Sequence, residues 1–246
     1  MSARQTRQAE SAAARVQPPL RGTVLFVHGL WTTGAESLLM RRQLARHGWA
    51  LRIFPYSSLA ESMDQVARRC ARYALALARR TLAPVHLLGH SLGGIVIYRM
   101  FETGALAPDR FSDDFCRVVF MGTPVRGSQS ARALSAFAPA RRLLGTVGGA
   151  VLAQGVPARW PFRAQLGLIA GTKAHGLGRL ITRLEGPNDG TVAVAETELE
   201  GATDRCLLPV SHTGMWFSSE VVDQVAAFFD HGRFKPAPAN QSDRSR

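Results

Sequence analysis

The sequence is poor in lysine, cysteine and tyrosine, and one long stretch of it contains no acidic residue at all. Lys173 and Lys235 are the only lysines, so arginine carries almost all of the formal net charge of +12. Cysteine is confined to Cys70, Cys116 and Cys206, far apart and without metal-ligand spacing, which predicts neither disulfides nor structural zinc. No run reaches the roughly 20 apolar residues that cross a bilayer. The longest, residues 143–156, is interrupted by Gly145, Gly148, Gly149 and Gln154. The first 19 residues are polar and lack the apolar centre of a secretion signal. These absences predict a reduced, cytoplasmic location, either soluble or peripheral to a membrane.

The missing acids are localised. Between Arg117 and Leu184 there is no Asp or Glu, yet ten Arg or Lys. Such a segment is a candidate contact surface for anionic membrane lipid or acidic ligands. Nucleic acid is not expected, because the basic residues lie among Gly, Ala, Leu and Pro without interleaved aromatics.

What is present points to one domain. At 246 residues and 46% hydrophobic content the chain can bury a single sizeable core. Residues 1–20 and 233–246 are polar, Pro-containing tails, expected to be poorly ordered, around a domain at 21–232. Within it six short apolar runs, 23–27, 51–54, 85–88, 118–121, 166–170 and 205–208, are bounded by Gly or Pro and predict buried parallel strands. Helical patterns lie between them. Over 61–80, Met63, Val66, Ala67, Cys70, Ala74 and Leu77 make one apolar stripe, with Ser58 and Glu61 spaced as a capping box. A last helix is expected over 219–229. This alternation predicts an α/β fold, a mostly parallel, doubly wound sheet of about six strands with helices on both faces. The interval 124–165 is too long for an ordinary crossover and predicts a helical cap over the carboxyl edge of the sheet.

The third strand runs straight into Gly89-His90-Ser91-Leu92-Gly93 and then into an apolar helix. Glycines two residues either side allow a turn tight enough to push a serine hydroxyl into the open. A serine nucleophile needs a base, because its hydroxyl is protonated at neutral pH. Of the seven histidines, His47, His86, His90 and His231 are read as structural, and His175 stays open as a ligand contact. His212 follows the last strand and precedes the last helix, on the same edge as Ser91, and is the expected base. The base needs a carboxylate to fix its tautomer. Asp189, in a turn-rich loop after the fifth strand, is the first choice, with Glu185 and Asp204 as rivals. An oxyanion hole needs two backbone donors. Leu92 supplies one, and the loop at 28–31 the second through Leu30, with Trp31 beside it as a substrate contact.

These residues resemble the α/β-hydrolase family, most closely its small lipases and esterases, over about residues 22–231. The marks are His28-Gly29, Gly89-His90-Ser91-Leu92-Gly93-Gly94, Gly122-Thr123-Pro124 with Gly127-Ser128, Asn188-Asp189-Gly190, and the late His212. The resemblance implies Ser91 as nucleophile, Asp189 as orienting acid, His212 as base and Leu30 and Leu92 as oxyanion donors, in the family's chain order. Val125 stands where relatives often carry His. The implied function is carboxylic ester hydrolysis through an acyl-serine, on a small-molecule or lipid ester, without metal or cofactor. Two alternatives stay open: a thioesterase or acyltransferase using the same three residues, and a non-catalytic, membrane-associated binding protein on the same scaffold.

Overall fold

A computed structural model describes residues 20–81, 83–106, 116–136, 144–175 and 183–236, with the backbone alone for 146–150. Six strands form one sheet: β1 (Gly22–Val27), β2 (Trp49–Ile53), β3 (Val85–His90), β4 (Val118–Met121), β5 (Leu166–Gly171) and β6 (Asp204–Leu208). Every pairing is parallel and the order is β2-β1-β3-β4-β5-β6. All six expected strands are present, because each is an apolar run that ends where Gly, Pro or a polar residue begins.

Among the described residues six α-helices accompany them: α1 (Leu38–Arg46), α2 (Met63–Thr81), α3 (Leu92–Glu102), α4 (Gln129–Ala136), α5 (Gly145–Gln154) and α6 (Ser219–His231). Strands β1, β3, β4 and β5 are buried on both faces, so successive side chains enter opposite cores, whereas β6, expected to be buried, lies at the sheet edge and leaves Arg205 and Leu207 exposed. Leu25, Val27, Leu87, Val118 and Phe120 pack with α2 and α3. Val24, Phe26, Leu88, Val119 and Met121 pack with α1 and α6. The stripe on α2 behaves as its spacing predicts, with Met63, Val66, Ala67, Cys70 and Ala74 buried. Its cap is displaced from the expected pair. Ser62 and Gln65 bond each other's backbone N–H groups, while Glu61 accepts from Ser57 N (3.0 Å) and from Arg69. Ser58 is thereby released for another task.

Residues 233–236, expected in the C-terminal tail, are tied to the domain. Phe234 is buried against Phe228, its N–H donates to Asp204 (2.7 Å), and Lys235 N–H donates to Gln224 (2.7 Å). The rest of that tail and residues 1–19 lie outside the described residues.

The chain leaves β1 outward to β2 and returns to β3 on the other side of β1. This reversal opens a crevice at the carboxyl ends of β1 and β3, where open α/β sheets place ligands. In the interval 124–165, helices α4 and α5 lie beside that edge.

Candidate active site

Ser91 occupies the turn between β3 and α3 with φ 53° and ψ −123°, strained for any residue but glycine. Its backbone is held from both sides: Ser91 N–H donates to Met121 O (2.9 Å), and Ser91 O accepts from Gly94 N–H (3.1 Å). The flanking glycines are required by packing. A Cβ on Gly89 would lie 2.6 Å from Gly94 Cα, and one on Gly93 would strike the Val27 carbonyl of β1. Among the described residues the Ser91 hydroxyl makes no hydrogen bond.

His212 and Asp189 meet across the loops after β6 and β5. Nδ1 of His212 lies 2.6 Å from Oδ2 of Asp189, and His212 N–H also donates to Asp189 O (2.9 Å). Oδ1 of Asp189 accepts from Thr191 N–H (2.9 Å) and Val192 N–H (2.7 Å), and the residue is 1% exposed. A carboxylate only accepts, so Nδ1 of the imidazole is the donor in this bond and Nε2 is not engaged by Asp189. The rivals lie elsewhere: Glu185 is exposed, and Asp204 accepts from Arg205 N–H (2.8 Å) and Phe234 N–H.

The remaining histidines separate in the same way. His47 pairs with Asp223 (2.9 Å), and His86 accepts from Arg117 N–H (2.9 Å) while stacking on Phe229. His175 is exposed, and its backbone abuts Gly190. His90 is fully enclosed, and its Nε2 donates to the His212 carbonyl (3.1 Å), tying the turn at Ser91 to the loop of His212. Burial first, and then the neighbouring His212, holds His90 well below the ordinary imidazole value and keeps it neutral. No pattern in the sequence announces this bond, because its ends are 122 residues apart.

Leu30 and Leu92 each present a backbone N–H with no acceptor among the described residues. The neighbouring donor, Trp31 N–H, is taken by Ser58 Oγ (3.2 Å). Trp31 has φ 59°, a conformation that costs a side-chain-bearing residue on the order of 1–2 kcal/mol. Ser91 and Trp31 are the only non-glycine residues with positive φ among those described, and both line one cavity.

That cavity measures about 230 Å³. Leu30, Trp31, Ser91, His212 and Trp216 line it from the sheet edge, while Pro124, Ala131, Leu134, Leu144 and Leu152 line it from the 124–165 interval. Its wall is mostly apolar, with Thr32, Ser128, Ser130, Thr191 and Thr213 supplying hydroxyls. The sequence reading missed Trp216 and the leucines of α4 and α5 as lining residues, since apolar residues at helical spacing look alike whether they face a core or a cavity. Val125 is fully buried in the core and is not among the residues that line the cavity.

The basic interval is less exposed electrostatically than its composition predicts. Arg126 pairs with Glu198 (3.7 Å), Arg132 with Glu196 (3.9 Å) and Arg159 with Glu200 (3.9 Å), all from the acid-rich segment that precedes β6. Arg163 is exposed, and Arg141 and Arg142 lie outside the described residues. Among the described residues no helix is long and apolar enough to cross a membrane, and no cluster of His, Cys, Asp and Glu could hold a metal ion.

Comparison with known proteins places the chain in a family. A mature lipase of Bacillus licheniformis has a similar structure, with a TM-score of 0.67 at 20% identity over 88% of this chain and 92% of that one. A thioesterase of the prodiginine pathway of Streptomyces coelicolor aligns with a TM-score of 0.54 at 14% identity, over 93% of this chain and 95% of that one. Phospholipase PlaB of Legionella pneumophila aligns with a TM-score of 0.55 at 16% identity, over 72% of this chain and 45% of that one. No curated protein sequence matches the chain. The family model described as the alpha/beta hydrolase family matches residues 24–233, and the chain belongs to that family.

Proposed function

We propose that the protein is a serine-dependent carboxylic ester hydrolase acting on esters of short to medium acyl chains. The observation that carries this reading is the buried Asp189–His212 hydrogen bond at 2.6 Å, made beside a serine on a strained strand-to-helix turn in the same cavity. Ser91 Oγ attacks the ester carbonyl carbon while its proton passes to His212 Nε2, and the carbonyl oxygen becomes an oxyanion facing Leu30 N–H and Leu92 N–H. The C–O bond to the alcohol then breaks, and His212 returns the proton to the leaving alkoxide. Water then attacks the acyl-serine as His212 takes its proton, the bond from Ser91 Oγ to the acyl carbon breaks, and His212 returns the proton to Ser91 as the acid leaves. Asp189 holds the imidazole in the required tautomer throughout and steadies the imidazolium. No step calls for a cofactor.

The cavity supports the acyl part of this reading. Its volume falls below the roughly 300–1,000 Å³ of sites for drug-sized ligands, and its leucines suit an alkyl chain. The test is a panel of p-nitrophenyl esters from acetate to palmitate, run on wild type and Ser91→Ala, with a fluorophosphonate to label the nucleophile. Hydrolysis that peaks at short or medium chains and vanishes in Ser91→Ala, with labelling at Ser91, is expected. Equal rates for wild type and Ser91→Ala would defeat the proposal.

Likeness to the Streptomyces thioesterase favours a second reading, acyl-thioester cleavage by the same residues. Acyl thioesters turned over much faster than the matched oxyesters would select it. Docking on anionic membrane through the 124–165 interval has less support, because Arg126, Arg132 and Arg159 already face carboxylates.

A further inference from the structure

The loop after β1 makes a set of contacts that ester cleavage alone does not explain. The peptide joining Gly29 to Leu30 carries the Leu30 N–H at one end and the Gly29 carbonyl at the other. In a trans peptide these point in opposite directions. Gly29 O accepts from Thr32 Oγ1–H (3.0 Å) and from His28 Nδ1 (3.0 Å), so the plane is gripped from behind and its N–H is left facing away. The next peptide, joining Leu30 to Trp31, is fixed by the bond from Trp31 N–H to Ser58 Oγ. Ser58 is 5% exposed and comes from the loop after β2, so the grip is tertiary and does not relax with the turn itself. From the same loop Tyr56 donates to the His28 carbonyl (2.7 Å) and stacks on the His28 ring.

We propose that Thr32 and Ser58 are positioning residues that fix the two peptides flanking Leu30, keep Trp31 at its positive φ, and so hold the Leu30 N–H aimed at the oxyanion. The inference rests on the proposed reading of Ser91 as nucleophile and Leu30 as oxyanion donor. Thr32 acts within the turn and Ser58 acts across from the loop that follows the neighbouring strand β2. Hydrogen bonds onto the Gly29 carbonyl also polarise the peptide and make its N–H a better donor. Both effects grow when negative charge appears on the substrate oxygen. Losing them therefore raises the barrier more than it weakens substrate binding.

The experiment compares Ser58→Ala and Thr32→Val with the hydroxyl-retaining Ser58→Thr and Thr32→Ser. The readouts are kcat, KM, thermal midpoint and inhibition by an alkyl trifluoromethyl ketone. That ketone adds Ser91 Oγ to its carbonyl carbon, leaves an oxyanion on its oxygen, and passes the serine proton to His212. For Ser58→Ala and Thr32→Val, kcat should fall about 10–100-fold with KM within about twofold, and the ketone should weaken by a similar factor. Ser58→Thr and Thr32→Ser should recover most of both losses. If Ser58→Ala does not fold, Thr32→Val carries the same test. Wild-type kcat in the hydroxyl-free variants, or a kcat loss with unchanged ketone affinity, would overturn the brace. The two failures are distinguishable. An inactive, unlabelled wild type removes the parent reading and the brace with it, whereas an active wild type, an inert Ser91→Ala and unaffected brace variants remove the brace alone.

Discussion

Gly122 lies directly behind the His212–Asp189 pair. A Cβ added there would sit 3.0 Å from His212 Nδ1 and 3.1 Å from Asp189 Oδ2, and the backbone has φ 55°, which glycine adopts at little cost. The Gly122→Ala variant must therefore push the imidazole or the carboxylate by a few tenths of an ångström and strain its own backbone. The expected result is a loss of about 10–100-fold in kcat with about 1–2 kcal/mol of stability, read by ester kinetics and denaturant titration. An unchanged kcat would mean that the pair tolerates displacement. Gly122 was visible in the sequence only as part of a family pattern; its reason is a contact with residues 67 and 90 positions away. The positions of Ser91 and His212 at strand-to-helix junctions, and of Asp189 in an Asn-Asp-Gly turn after a strand, were legible and made them the first candidates. The contact between Asp189 and His212 was not, since Glu185 and Asp204 lie in the same chain order.

Two contacts tie the described parts of the 124–165 interval that line the cavity to the rest of the domain. Helix α4 is only Gln129–Ala136, too short to be stable alone, and its first turn is held from outside. Buried Glu196 accepts from Gln129 N–H (2.6 Å) and from Ala193 N–H (2.8 Å), so one carboxylate joins the helix start to the segment that follows Asp189. After α5, Trp160 enters a nest of Tyr98, Phe101, Phe120 and Phe162, and its indole N–H donates to Ala164 O (2.7 Å). Trp160→Ala should cost about 3–5 kcal/mol, measured as a lowered denaturation midpoint, and Trp160→Phe less. A loss below 1 kcal/mol would show that the interval is anchored elsewhere. Leu152 of α5 both joins the core and lines the cavity, so Leu152→Phe should shorten the favoured acyl chain by a few methylenes. An unaltered chain-length profile would place the acyl chain against another wall. The strands were legible because apolar runs bounded by turn residues have one reading in a sheet covered on both faces. The wall of the cavity was not. An amphipathic pattern gives a helix's apolar side but not the part of that side left uncovered.

At the scale of the whole molecule, the buried histidines give the fold a direction in pH. Burial lowers His28, His86 and His90 below the ordinary value of 6.5, His86 to about 3. Well above pH 6.5 these imidazoles are neutral in both folded and unfolded chains and contribute nothing to the pH dependence. As the pH drops below 6.5 the unfolded chain takes up protons that the folded one refuses, so stability falls until each folded histidine titrates in turn, near pH 3 for His86. Each such group removes up to about 1.4 kcal/mol per pH unit in that window. Glu196, raised by burial, acts in the opposite sense, since its folded form binds a proton more readily than the unfolded chain does. Glu61 and Asp64, lowered by their hydrogen bonds from Arg69 and Arg99, lose stability toward acid as the histidines do, so among the described groups Glu196 alone opposes a net loss. The matching experiment is urea unfolding at pH 7.5, 6.5, 5.5 and 4.5 on wild type and His86→Gln. Glutamine keeps an acceptor within reach of Arg117 N–H but does not titrate. Wild type should lose stability steadily below pH 6.5, and His86→Gln, though less stable at pH 7.5, should show a shallower slope by up to one proton. Parallel slopes would mean that His86 takes up its proton in the folded state as readily as in the unfolded one, and that the packing of Trp49 and Phe229 around its ring does not exclude the charge.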